Sequence, residues 1–236
     1  MCDVCGCGDS KLVPVDVHAR LLQQNDHDAA HNREHFHRHG LVAINLMGSP
    51  GAGKTALLEA TARRIGGFRQ LTALAGDLAT ERDADRLRAA GIPSSAITTG
   101  QACHLDADMV HRALHHAEWS NADYLFIENV GNLVCPAIYD LGQEANVVAL
   151  SVTEGEDKPL KYPVMFHHAD LVVLTKTDLL PVLDFDWAAL KEALVRVIPA
   201  PRLIAVSARS GEGMGAWVEW LEARRPAPFQ KVQVAS

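Results

Sequence analysis

The chain has 236 residues, 48% of them apolar, with 29 acidic against 22 basic side chains and a formal charge of -7. This is enough for one substantial core with an appendage, and the acidic balance, without any Lys/Arg-rich block, argues against nucleic acid as a partner. No apolar run approaches the roughly 20 residues of a membrane span and the start has neither a basic segment nor an apolar signal core, so a cytoplasmic protein is expected.

Residues 1–40 lack long aliphatic runs and are rich in His, Asp, Asn and Gln, which predicts a flexible, metal-binding arm. Three of the five cysteines, Cys2, Cys5 and Cys7, fall within six residues, with Gly6 allowing a tight fold between two of them. In a reducing compartment such clustering points to metal rather than to disulfides. Soft thiolates suit Zn(II), Cu(I) or Ni(II), and the terminal amine or a backbone amide can complete a planar set for nickel. No second ligand pair follows at zinc-finger spacing. Six of the twelve histidines lie between His18 and His39, and His27, His31, His35 and His39 recur every four residues, with His37 close by. A helical conformation would line four of these imidazoles on one face and hold borderline ions weakly; the alternative is a polar linker.

The folded domain is expected from residue 41 to 225, followed by a tail at 226–236. Apolar, β-branched runs fall at 41–47, 71–75, 124–127, 147–152, 171–175 and 203–206, with a weaker one at 96–98. Helical spacing marks 54–65, 81–90, 105–119, 187–197 and 214–224. Nearly continuous apolar strands are buried on both faces, and their alternation with helices implies right-handed crossovers. The expected fold is α/β: a doubly wound, mostly parallel sheet of the P-loop NTPase type, with its chemistry at the carboxyl ends of the strands.

Gly48-Ser49-Pro50-Gly51-Ala52-Gly53-Lys54-Thr55 fits the P-loop pattern, directly after a strand and directly before a helix. Glycines are needed because backbone amides must wrap phosphate oxygens with the helix N-terminus aimed at the anion. Lys54 then reaches the β and γ phosphates and Thr55 binds Mg2+. Asp77, after the second strand, is expected in the magnesium shell, directly or through water. Glu128-Asn129-Val130-Gly131 follows the 124–127 strand; Glu128 senses the metal, and the Gly131 amide turns toward the γ-phosphate and releases it after hydrolysis. Thr175-Lys176-Thr177-Asp178 ends another strand. Its Asp178 carboxylate can accept both the ring N–H and the exocyclic amine of guanine, which favours GTP over ATP. Taken alone Asp178 reads as a helix N-cap, and its place in an ordered set of motifs reverses that reading. Ser207-Ala208 is expected to offer amides to the guanine carbonyl oxygen.

Cys103-His104 opens the 105–119 stretch, and Cys135 lies four residues beyond Gly131, inside the segment expected to move with the γ-phosphate. If these three meet in space, nucleotide state alters a metal site. His111, His115 and His116 read as ordinary surface histidines.

The Cys-x-x-Cys-Gly-Cys start, the His-rich arm, the P-loop, Gly76-Asp77, Thr99-Gly100 with Cys103-His104-Leu105, Glu128 to Pro136, and Glu154-Gly155-Glu156-Asp157-Lys158 together resemble the HypB GTPases of nickel-iron hydrogenase maturation. The resemblance spans the chain from Met1 to about Gly213. It implies a slow GTPase related to the urease accessory GTPase UreG, which forms a homodimer when GTP-bound. It further implies a nickel or zinc site at Cys103, His104 and Cys135 bridging two G domains, and a tighter nickel site at Cys2, Cys5 and Cys7. The implied partners are a small zinc-containing nickel chaperone of the HypA type and the hydrogenase large-subunit precursor. Where many members carry Asn-Lys-x-Asp this chain has Thr175, whose hydroxyl makes fewer contacts than an amide. Two competing readings are a urease-type nickel GTPase and a nickel storage protein with an uncoupled nucleotide site.

Overall fold

The computed structural model describes residues 15–77, 80–100 and 102–225. Cys2, Cys5, Cys7 and the 226–236 tail lie outside the described residues. Seven parallel strands form one sheet in the order β3-β2-β4-β1-β5-β6-β7. They are β1 (Val42–Met47), β2 (Leu71–Asp77), β3 (Ser94–Thr98), β4 (Tyr124–Glu128), β5 (Ala145–Ser151), β6 (Leu171–Thr175) and β7 (Leu203–Ala205). The eight α-helices among the described residues are α1 (Val15–Arg38), α2 (Lys54–Ile65), α3 (Arg82–Ala89), α4 (Ala107–Leu114), α5 (Lys158–Lys161), α6 (Pro163–His167), α7 (Trp187–Val197) and α8 (Met214–Glu222).

Alternation along the strands sorts the core into two layers. Val42, Ile44 and Leu46 of β1 face α2, α3 and α8, where Leu57, Leu87 and Trp217 are buried. Ala43 of β1 faces the other way, toward Phe36 of α1 and Val110 of α4, while Met47 meets α6 and α7 through Phe166 and Leu190. With both faces covered, β1 is buried at every position, which is why it reads as an unbroken apolar run. The order turns at β1, between β4 and β5, and the P-loop leaves the sheet there.

Within the expected arm, residues 15–38 take up regular structure. That segment is a 24-residue helix, and its side chains from 20 onward pack on the domain. Asn25, Ala29, Asn32 and Phe36 form its buried stripe. Asn25 Nδ2 donates to the Asp140 carbonyl at 2.9 Å and its Oδ1 accepts from Ala107 N at 2.9 Å. Asn32 Nδ2 donates to the carbonyls of Ala107 at 2.8 Å and Leu141 at 3.2 Å. Gly142, at φ +86°, sits under this helix, where an added Cβ would lie 2.6 Å from the Ala29 carbonyl oxygen. The 105–119 stretch is also shorter than expected: Asp106 caps α4 by accepting from Met109 N at 2.7 Å, and the helix ends at Leu114. Among the described residues, no helix is long and apolar enough to cross a membrane.

Candidate nucleotide and metal site

The P-loop follows β1 and runs into α2, with Gly51 and Gly53 in left-handed backbone. Lys54 is 7% exposed, and its Nζ donates to the carbonyls of Gly48 at 3.2 Å and Ser49 at 3.3 Å. Burial lowers its pKa, against the opposing pull of Glu128, Asp83 and Glu154. Thr55 Oγ1 is shared between Glu128 Oε1 at 2.8 Å and Asp83 Oδ1 at 3.0 Å. Glu128 is 3% exposed, and burial pushes its pKa up to about 7 despite Lys54 and the Thr55 hydrogen bond. Its Oε2 is buried without a hydrogen-bond partner among the described residues. An orphaned carboxylate oxygen beside a threonine hydroxyl and Asp83 fits a hard, oxygen-coordinated cation such as Mg2+.

Two clefts flank Gly53. One, of about 410 Å³, is lined by Lys54, Thr55, Asp77, Asp83, Glu128 and Gly131. Asp77, at the end of β2, accepts from the Thr80 hydroxyl. Gly131 abuts the P-loop so closely that an added Cβ would lie 2.8 Å from Pro50 Cγ. The other cleft is lined by Ala56, Thr175, Lys176, Asp178 and Ala208. There Asp178 Oδ1 accepts from Ser207 Oγ at 2.7 Å, which fixes the carboxylate's orientation. Lys176, in left-handed backbone, donates from Nζ to the Gly51 carbonyl at 2.7 Å. Thr175 lies beneath the loop, 3% exposed, and its hydroxyl donates to the Ala52 carbonyl at 2.6 Å. A phosphate-sized polar cleft on one side of Gly53 and an aspartate-bearing cleft on the other suit a nucleotide laid across the P-loop.

The segment after β4 leads away from the phosphate cleft to a short 3-10 turn, Cys135–Ala137. The Sγ atoms of Cys103 and Cys135 are 2.9 Å apart, and the candidate ligand atoms of Cys103, His104 and Cys135 all lie within 4.8 Å of one another. The Cys103 hydrogen bond and burial raise the Cys135 pKa, while burial lowers that of His104, favouring its neutral, ligating form. His104 stacks on Tyr139 with centroids 3.9 Å apart. Behind the triad runs a chain of side-chain amides. Asn129 Oδ1 accepts from Leu105 N at 3.3 Å and from Val130 N at 2.9 Å, while its Nδ2 donates to Asn45 Oδ1 at 3.1 Å. Asn45 in turn donates to Asn146 at 2.9 Å.

A family profile described as CobW/HypB/UreG, nucleotide-binding domain, matches residues 42–204. A hydrogenase maturation factor HypB from Azotobacter chroococcum mcd 1 is 52% identical over 222 residues, 94% of this chain and 72% of the relative. The chain belongs to the HypB family. Among solved structures, HypB from Archaeoglobus fulgidus aligns with a TM-score of 0.78 at 40% identity, covering 86% of this chain and 98% of that one. HypB from Helicobacter pylori, in complex with nickel, aligns with a TM-score of 0.80 at 39% identity over the same shares, 86% and 98%. These likenesses establish the HypB fold with its nucleotide-binding domain.

In this HypB-family chain the sequence reading missed Asp83, Arg86 and Glu154 as site residues. Asp83 and Arg86 line the phosphate cleft from α3, with Arg86 bonded to Glu59. Glu154 accepts from the Ser49 hydroxyl and from Ser151 N, and pairs with Lys158 at 3.6 Å. On α3 the missed residues look like any charged helix surface; only contact with Thr55 and the cleft distinguishes them.

Proposed function

We propose that this chain binds Mg-GTP, hydrolyses it slowly, and uses the cycle to gate a nickel site for hydrogenase maturation. The observation that carries this reading is the course of one segment: it starts at Glu128, hydrogen-bonded to the P-loop Thr55, and ends at Cys135, in contact with Cys103. The P-loop amides of Gly48, Ser49, Gly51, Ala52 and Gly53 receive the phosphates, and Lys54 exchanges its carbonyl partners for phosphate oxygens. Thr55, Asp77, Asp83 and Glu128 would hold Mg2+, which would neutralise charge on the phosphates. Asp178 reads guanine, with Ser207 and Ala208 beside it and Lys176 bracing the loop. The Thr175 hydroxyl supports the P-loop from below, so it is the loop rather than the base that depends on it. Gly131 follows the γ-phosphate and carries Cys135 with it, changing the triad formed with Cys103 and His104.

The relative from Helicobacter pylori was solved with nickel, and two thiols with a neutral imidazole suit that ion, with zinc as the competitor. Cys2, Cys5 and Cys7 are the tighter nickel site in this proposal. Its partners are a second copy of the chain in the GTP state, a small zinc-containing chaperone of the HypA type, and the hydrogenase large-subunit precursor, all in the cytoplasm. The test is a calorimetric nickel titration of the full chain with GDP and with a non-hydrolysable GTP analogue, tracking mass in parallel. One class of sites should change affinity, and dimer should form only with the triphosphate. Identical titrations with no dimer would overturn gating and favour storage.

A further inference from the structure

The cysteine triad is assembled from two separate stretches of chain, and one helix is bonded to both. Cys103 and His104 lie on the loop before α4, whereas Cys135 lies on the segment that runs from β4 to β5. The two stretches touch through the Cys103 and Cys135 sulfurs and through the His104 ring stacked on Tyr139. Helix α1 spans them. Asn25 Oδ1 accepts from Ala107 N at 2.9 Å, on the first stretch, and its Nδ2 donates to the Asp140 carbonyl at 2.9 Å, on the second. Two turns later Asn32 Nδ2 repeats the bridge, donating to the carbonyls of Ala107 at 2.8 Å and Leu141 at 3.2 Å. Arg33 Nη2 adds both carboxylate oxygens of Asp140, at 2.8 and 2.7 Å.

A helix docked only for stability would bury an apolar stripe along its whole length, and α1 does so only at its end. Phe36 is buried in one cluster with Val110 and Leu114 of α4, and His35 lies edge-on to Trp119 at 4.8 Å. Earlier in the helix the buried side chains are Asn25, Ala29 and Asn32, while Leu21 stays exposed. The last turns are therefore anchored by apolar surface and the earlier ones by amides, whose bonds exchange with water at small net loss. A side-chain amide both donates and accepts, so a single Asn can tie an N–H on one stretch to a carbonyl on another.

We infer that Asn25 is a positioning residue for the cysteine triad: its two-ended bond sets the separation of Cys103 and His104 from Cys135, with Asn32 and Arg33 in support. None of the three touches a candidate ligand atom; they act on the backbone that carries those atoms, as supporting residues around metal ligands do. Lifting the first half of α1 frees the two stretches from each other and loosens an ion held between them. This route is distinct from that of Asn129, which holds Leu105 N from β4. The inference rests on the proposed metal role only for the ion, because the spacing of the two sulfurs belongs to the metal-free protein as well.

The test uses the full-length chain with Cys2, Cys5 and Cys7 changed to Ser, which leaves Cys103 and Cys135 as its only thiols. Dibromobimane fluoresces once each thiol has displaced one of its two bromides, so its bridging rate, relative to labelling by monobromobimane, reads sulfur separation without a metal. Asn25→Asp is nearly isosteric; it keeps the acceptor for Ala107 N and loses the donor to Asp140, cutting one end of the bridge. It should slow bridging by about threefold or more, as far as Asn25→Ala, which cuts both ends. Both variants should raise the midpoint of a nickel chloride titration by about tenfold. His27→Ala, exposed on the same helix, should leave both readings within about twofold, and GDP affinity should hold in every variant. Bridging unchanged in Asn25→Ala, or lost there but kept in Asn25→Asp, would overturn the two-ended bond as the determinant. A fall in GDP affinity in step with bridging would overturn it as well, assigning the effect to a general loosening of the fold. Slower bridging with an unchanged nickel midpoint would uphold the positioning role and sink the metal role of the triad instead.

Discussion

The phosphate cleft and the cysteine triad are neighbours on one segment, yet they are built on opposite principles. The cleft holds buried charge, with Lys54 and Glu128 both pulled toward neutrality by desolvation. The triad holds half-buried soft groups: two cysteines, which bind metal as thiolates, and an imidazole that burial holds in its neutral, ligating form. A charged site without its counter-ion strains the fold, whereas a neutral one can wait at little cost. The difference teaches where the proposed coupling would enter: Glu128 belongs to the cleft, the next residue, Asn129, belongs to the scaffold of the triad, and one peptide bond joins the two regimes.

The sharpest break is Lys54→Ala. It should reduce GTP turnover by at least ~100-fold, about 3 kcal/mol or more, while nickel affinity of the GDP-free protein stays within about threefold. Single-turnover hydrolysis and nickel titration measure the two arms, and a parallel loss in both would mean that the regimes are not separable. Glu128→Gln tests the buried charge. Because the folded pKa of about 7 exceeds the ordinary 4.5, the contribution of Glu128 to the unfolding free energy should be full below pH 4.5 and be lost as pH rises through about 7. A displacement of that size corresponds to about 3 kcal/mol. The nucleotide-free glutamine variant lacks this contribution, so the difference in unfolding free energy between parent and variant, read by urea unfolding, should change by that amount across the window. Asn129→Ala should cost about 2 kcal/mol by leaving Leu105 N and Asn45 without their partner. It should also flatten the nucleotide dependence of nickel affinity at the triad; an undiminished dependence would show that coupling runs past the amide chain. Thr175→Val is the mildest. Losing the hydrogen bond to the Ala52 carbonyl should weaken GDP and GTP alike by about fivefold, near 1 kcal/mol, without changing preference for guanine over adenine.

Much of this arrangement is legible in the sequence because buried parallel strands betray themselves as apolar runs. All seven strands and the five longer helices of the domain fall where periodicity places them. Helix α1 is not legible in that way: its buried stripe is Asn25, Ala29, Asn32 and Phe36, and only one of those four is a large apolar residue. Its docking rests on amides meeting carbonyls from distant segments and on a glycine across from it, none of which has a local signature. The end of α4 was missed for a similar reason, since the Trp119 indole donates to the Leu114 carbonyl at 2.9 Å. The P-loop and Asp178 stand out by type and order, whereas Asp83 and Arg86 are charged residues on a helix full of charges. Chain order suggested that Cys103 and Cys135 could meet; only the path of the chain after β4 brings their sulfurs together.

That closeness carries a liability beside the proposed ligand role. Two free thiols 2.9 Å apart need little movement to become a disulfide once an oxidant takes two electrons and two protons from them. The bond would remove two candidate ligands and tie the segment after Glu128 to the loop before α4, so air exposure would produce a species that still folds and offers its P-loop but lacks the freedom the proposed gating needs. Preparations of the metal-free protein should therefore divide into an active and an inert fraction according to handling, and a thiol reductant should reunite them.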